Sequence, residues 1–257
     1  MPDYARFDDL LTGDERALRD RVRGFIDAEA LPLVADYYER GAFPSHLIPR
    51  MAQLGLYRHH DPVADGLISH ELERADAGLR SFVSVHVHLA GSAIRFYGSD
   101  EQKARYLPAM ERGELIGAFS LTEPAHGSDP AGMETTARAV DGGFILNGHK
   151  RWSTNGLVAD VVVVWAKLDG EVRGFLVEKA TKGYRPVEIA RKLSFRMSVS
   201  SELFFEECFL PAAQLLPGAT GLGGPLRCLS EARYGIAWGT AGAAQACFEE
   251  ALSYSLS

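Results

Sequence analysis

The sequence predicts an α+β chain of more than one domain: helices first, then an antiparallel β-barrel, then helix again. Three observations carry this. Apolar residues recur at helical spacing through the first half, with two capping-box pairs marking helix starts. After Gly117 the pattern changes to short runs rich in β-branched and aromatic residues, separated by Asp-Gly turns. From about Gly223 an Ala-rich helical pattern returns and runs to Ser257. The expected boundaries are 1–116 for an all-α N-terminal domain, 117–222 for the barrel and 223–257 for a further helix.

Thr12 and Glu15 have capping-box spacing, and Leu18, Val22, Phe25, Ile26 and Ala30 then mark one helix face, which Leu31-Pro32 should end. Ser45 to Leu54 reads as a second helix with Gly55 as its stop, provided Pro49 sits in the first turn. RHHDPVAD reads as a polar link, followed by a helix from about Gly66 to Ala75. Ser81 to Phe96 is apolar nearly all round and should be a buried central helix, closed by Gly98. Ser99 and Gln102 form the second capping pair and open a helix to about Arg112. The runs TTARAV, FILNG, KRWST, ADVVVVWAK, VRGFLVEK and SELFFEECFL read as strands, with turns at Asp141-Gly142-Gly143 and Asp169-Gly170.

At 257 residues the chain is long enough for one large or two modest cores, and 46% hydrophobic with 24% charged residues is ordinary for a soluble globular protein. A net charge of -7 with no basic stripe argues against nucleic acid or a membrane surface as partner. Cys208, Cys228 and Cys247 form neither a disulfide frame nor a CxxC pair, which fits a reducing, cytoplasmic setting. MPDYARFDDLL has neither a basic region nor an apolar run, so no signal peptide is expected, and no stretch approaches transmembrane length. His86 and His88 are two apart on a helix and face apart. His59-His60 lie in a link. No metal site is expected.

One stretch stands apart from these elements: FSLTEPAHGS, Phe119 to Ser128, followed by Asp129. It has no useful periodicity. Pro124 interrupts any ladder, Gly127 permits a sharp turn, and Ser120, Thr122 and Ser128 add short hydrogen-bonding groups. Such a segment can wrap a flat polar ligand, although composition alone favours a plain loop.

FSLTEPAHGSD, HKRWSTNG and the LPG…GGP…ARYGIAWG run, in that order, resemble the acyl-CoA dehydrogenase family over nearly the whole chain. ELERADAGLRS, Glu71 to Ser81, is similar to the segment in which glutaryl-CoA dehydrogenases hold the distal carboxylate of their substrate. The resemblance implies FAD as cofactor, an acyl-CoA substrate and an electron-transferring flavoprotein as electron acceptor. It also implies a homo-oligomer, dimer or tetramer.

By the same resemblance Phe119, Leu121, Thr122, Gly127 and Ser128 lie along the flavin, and Ser128 also meets the CoA arm. Trp152, Ser153 and Thr154 match the family's Trp-Ile/Val-Thr/Ser triplet, with Ser153 in place of the usual aliphatic residue. The indole would stack on the ring and Thr154 would donate near N5, whereas Trp152 by itself reads as core. Arg80 would bridge to a terminal carboxylate, with Ser81 adding a hydroxyl and Glu73 orienting the guanidinium; the bland alternative is a structural ion pair with Glu73 or Asp76. Leu226, Ser230 and Arg233 stand where the family meets the substrate and its CoA portion, Ser230 replacing a common Asp or Asn, with Glu231 either its replacement or merely solvent-facing. His126 is a candidate tuning group.

The family's carboxylate base belongs to a C-terminal helical domain beyond residue 257, so no catalytic residue is assigned within this chain, and the 223–257 helix is expected to begin that bundle. RHHDPVAD is also shorter than the family's loop. The resemblance therefore implies α,β-dehydrogenation of a dicarboxylic acyl-CoA such as glutaryl-CoA, with or without decarboxylation. Competing readings are a generic short-chain or branched acyl-CoA dehydrogenase, an acyl-CoA oxidase, and a non-catalytic acyl-CoA- or flavin-binding relative.

Overall fold

The computed structural model describes residues 6–58 and 60–257. His59 and residues 1–5, on which part of the leader-free reading rests, lie outside it. The first helix, α1 (Gly13–Phe25), opens on the expected capping box: the Thr12 hydroxyl accepts from Glu15 N while the Glu15 carboxylate accepts from Thr12 N. Leu31-Pro32 does not end the helical path. The hydrogen bonding widens at Ile26–Ala30, tightens at Leu31–Leu33 and continues as α2 (Val34–Arg40) to Gly41, whose φ of 66° stops it. Pro32 falls in a first turn, where its missing N–H is tolerated.

A short turn, Ser45–Leu47, leads into α3 (Ile48–Gln53), with Pro49 in its first turn as required. The link predicted before Gly66 is shorter than expected. α4 (Pro62–Ala75) starts at Pro62 because Asp61 accepts from Val63 N and Ala64 N, an N-cap followed by proline at the first helical position. Asp76 caps α5 (Ala77–Ser84), which continues through a widened stretch, Val85–Gly91, into α6 (Ser92–Tyr97). That run is the expected buried central helix. The second capping box, Ser99 with Gln102, opens α7 (Asp100–Glu111).

The strands are β1 (Gly117–Ser120), β2 (Thr136–Val140), β3 (Gly143–Thr154), β4 (Val161–Leu168), β5 (Glu171–Glu178), β6 (Tyr184–Glu188) and β7 (Ser200–Pro211). They form one seven-stranded sheet in the order β1-β4-β2-β3-β7-β6, with β5 on β4. The expected barrel is a curled half-barrel: the path has free ends, and β1 and β2 both pair with β4 in parallel while the rest is antiparallel. FILNG and KRWST are one strand, not two, because Gly148 at φ 157° lets the backbone pass close against Thr135 without a turn. β6 is not among the expected strands because it carries Pro186, which is tolerated there since β6 pairs only with β7.

β4 shows why the run VVVVWA lacks alternation. Val161, Val163 and Trp165 pack with Ala90, Ile94 and Met110 of the helical layer, while Val162, Val164 and Ala166 pack with Phe175, Phe205 and Leu210 behind. Both faces are covered, so both must be apolar. A third cluster, built on Val22, Ile26, Met51, Leu72 and Phe82, holds the helices to one another. The last helix, α8 (Gly223–Leu256), crosses α4 closely through its small residues. A Cβ at Gly242 would meet the His70 carbonyl oxygen at 2.1 Å, and one at Gly239 would meet Glu73 Oε2 at 1.9 Å.

No helix among the described residues is long and apolar enough to cross a membrane. Among them, too, no group of three or more His, Cys, Asp or Glu could hold a metal ion.

The close crossing makes a two-sided stability prediction. Gly242→Ala should lower the unfolding free energy by about 1–3 kcal/mol, overpacking outweighing the gain in helix propensity. Gly24→Ala, exposed in α1 with nothing within 4 Å of the new methyl, should raise it by up to about 1 kcal/mol. Urea titrations of both decide it; equal shifts would contradict the packing described.

Candidate active site

β1 is buried along its whole length, and the chain leaves the sheet at Leu121. Two backbone hydrogen bonds, Glu123 N to His126 O at 3.1 Å and His126 N to Glu123 O at 3.2 Å, close the following turn around Pro124. Gly127 is not in the left-handed region, so the turn does not need glycine for its φ. A Cβ there would meet no protein atom within 4 Å, and the glycine instead leaves open space beside the segment.

The facing wall is the end of β3. Lys150 pairs with Leu203 of β7 and Ser153 with Ser201, so Arg151 and Trp152 together oppose Glu202. That bulge, with Trp152 at φ 60°, turns Arg151 and Trp152 to the same side, where a regular strand would send them to opposite faces. The Arg151 guanidinium carbon stands 5.3 Å from the indole centroid, and Trp152 remains 53% exposed, an unusual state for so large an apolar ring. Arg151 N donates to Thr122 O at 2.8 Å and joins the two walls directly. At the floor the Ser120 and Ser153 hydroxyls are 2.5 Å apart, and Ser201 Oγ donates to Ser153 O.

Between these walls lies a cleft of about 330 Å³. Phe119, Leu121, Thr122, Gly127 and Ser128 line it on one side, Trp152, Ser153 and Thr154 on another, and Leu226 and Arg233 of α8 close it together with Val85 and Leu89. Sequence-selected residues from segments far apart in the chain thus share one cavity. Ser230 lies on an exposed face of α8, its hydroxyl bonded to Leu226 O. Arg80, Ser81 and Glu73 are buried but do not line this cleft. Arg80 Nε donates to Glu73 Oε2 at 2.6 Å, on the helical run that reaches the cleft at Val85. His126 meets Glu134 at 3.6 Å.

Sequence reasoning missed the groups that fix these walls. Lys150 is fully buried beneath the cleft, its ammonium donating to Glu123 Oε1 at 2.8 Å and Leu121 O at 2.9 Å. Burial lowers the Lys150 pKa to about 8 against the pull of Glu123, which leaves it protonated at neutral pH. Burial pushes the Glu123 carboxyl up, but Glu134 N–H, Lys150 and Thr135 outweigh it and hold the group down at about 2. His86 joins helix to sheet: Nε2 donates to Met110 O and Nδ1 accepts from Gly117 N, a tautomer consistent with its pKa lowered by burial to about 4. Asn155 adds a second tie, donating to Phe82 O and Gly117 O.

Residues 12–114 match the N-terminal domain and residues 118–208 the middle domain of acyl-CoA dehydrogenases. A short-chain specific acyl-CoA dehydrogenase of Clostridium acetobutylicum is 32% identical over 95% of this chain and 69% of its own length. The chain belongs to the acyl-CoA dehydrogenase family. Among solved structures of the family, a glutaryl-CoA dehydrogenase from Mycobacterium smegmatis in complex with FADH2 superposes with a TM-score of 0.94. It is 45% identical, over 97% of this chain and 67% of that one. Butyryl-CoA dehydrogenase from Megasphaera elsdenii superposes at 0.89 with 28% identity, over 95% and 69%.

The lowered Glu123 carboxyl gives a pH prediction. A folded pKa below the ordinary 4.5 stabilises the protein above that value, and the contribution is lost as pH falls from about 4.5 towards 2. Unfolding free energies across that window should fall more steeply for the wild type than for Glu123→Gln. Parallel curves would contradict the pairing.

Proposed function

We propose that this chain forms the flavin- and acyl-CoA-binding part of an FAD-dependent acyl-CoA dehydrogenase acting on a dicarboxylic substrate such as glutaryl-CoA. The observation that carries this is the single cleft lined by Thr122, Ser128, Trp152, Thr154 and Arg233. The residues suit a flavin: an exposed indole beside open space at Gly127, with hydroxyls and backbone groups for the polar edge of a flat ring. FAD, when bound, supplies the acceptor for the hydride that leaves the substrate's β-carbon.

The chain's own residues bind and orient. Trp152 offers a stacking face, Thr122 and Thr154 offer hydroxyls, Ser128 and Arg233 meet the CoA arm, and Val85, Leu89 and Leu226 exclude water from the acyl chain. No carboxylate among the described residues lines the cleft. By the family resemblance, removal of the α-proton is assigned to a carboxylate of a C-terminal helical domain outside residues 1–257. Electrons would pass on to an electron-transferring flavoprotein, and a homo-oligomer is the expected assembly.

Dicarboxylate preference is assigned to Arg80. Its guanidinium is buried, oriented by Glu73 and followed by Ser81, and a buried guanidinium recognises a carboxylate bidentately. The glutaryl-CoA dehydrogenase likeness supports the same choice. A second reading, a short-chain monoacyl enzyme in which Arg80 and Glu73 are a structural pair, is favoured by their absence from the cleft lining.

Binding separates the two. With FAD bound, Arg80→Gln combined with Glu73→Gln should weaken glutaryl-CoA by on the order of 30-fold and leave butyryl-CoA nearly unchanged. Equal effects on both ligands, read by calorimetry, would favour the monoacyl enzyme.

A further inference from the structure

We infer that Lys150 is a positioning residue: through Glu123 and Leu121 O it sets the separation of the Thr122 and Trp152 walls before any ligand enters. A lysine buried in a sheet would ordinarily need no functional explanation, provided its charge is paired. Here both named acceptors of the ammonium belong to the cleft segment. They flank Thr122 on either side, as the carbonyl of Leu121 and the carboxylate of Glu123.

The same carboxylate ties down the far end of the loop. Its Oε2 accepts from Glu134 N at 2.6 Å and its Oε1 from Thr135 N at 2.9 Å, so residues 124–133 run between two points held by one group. Gly127 and Ser128, which line the cleft, lie inside that span. On the other side Lys150 shares β3 with Arg151, whose N–H reaches Thr122 O, and with Trp152. One short stretch of strand thus carries the indole wall and grips the hydroxyl wall. A flat ring between them meets a gap of fixed width, and ordering the loop costs nothing at the moment of binding.

This rests on the flavin reading, and the test keeps the two apart. The probe is FAD, titrated into the full chain as wild type, Lys150→Met/Glu123→Gln, Lys150→Arg and the remote Val22→Ala in the helical core, with urea stability measured on each. Removing both charges together avoids leaving one buried and unpaired. The expected result is a tenfold to hundredfold loss of FAD affinity, an order-of-magnitude figure for misplaced support groups, in Lys150→Met/Glu123→Gln. Lys150→Arg should recover part of it, and Val22→Ala, which removes buried volume from the helical core, should lose stability without comparable loss of affinity. Wild-type affinity in the paired variant, or an equal loss in Val22→Ala, would overturn the role of Lys150.

Hydrogen exchange on the flavin-free wild type decides the matter independently of how the variants fold. The amides of Arg151, Glu134 and Thr135 should exchange as slowly as the β3–β7 ladder. Exchange at loop rates would overturn a pre-set gap. No saturable FAD binding by the wild type would overturn the flavin reading alone, and the exchange result would still stand.

Discussion

A protonated amine held inside a sheet is costly unless every partner is in place, and the Lys150–Glu123 pair is the constraint on which this site depends. The ammonium has a carboxylate and a carbonyl, and the carboxylate has two further backbone N–H donors. Such a pair adds little net stability relative to apolar packing, but it admits few geometries. Leu121, Glu123, Glu134 and Thr135 can meet it only where the chain has left β1, turned at Pro124 and returned into β2. An irregular segment thereby acquires the rigidity of the sheet beneath it.

The helical layer is registered to that sheet by equally directional contacts. His86, neutral at its lowered pKa, spans Met110 O and Gly117 N, and Asn155 spans Phe82 O and Gly117 O. Gly117 begins β1, so the helix that brings Val85 and Leu89 to the cleft is fixed against the strand that delivers Thr122. Apolar packing alone would leave such a helix free to slide by a fraction of a turn. α8 completes the cavity because its glycines let it approach α4 closely, which carries Leu226 and Arg233 to the opening.

Local rules were legible where local physics decides. Both capping boxes, the Asp-Gly hairpin turns and the all-round apolar helix are written in neighbouring residues, and the structure contains each. Asp61-Pro62 carried the same kind of signal, a cap followed by a first-turn proline, but the polar stretch around it hid the start of α4. β3 was split because Gly148 resembles a turn residue, while its passage against Thr135 is a tertiary fact. The bulge that turns Trp152 outward depends on pairing with β7, and no alternation pattern reveals it. Lys150 was illegible for the same reason: a lysine in KRWST reads as solvent-facing until the far side of the strand is known to be covered. The motif residues themselves were found because their likeness to the family runs through three separated segments, and the structure brings two of those segments and Arg233 of the third to one cavity.

The most direct measurement of the central claim is a crystal structure of this chain grown with FAD. The expected result is the tricyclic ring in the cleft, with atoms within about 4 Å of both Thr122 and the Trp152 indole. A ring bound elsewhere, or touching only one of these walls, would contradict it.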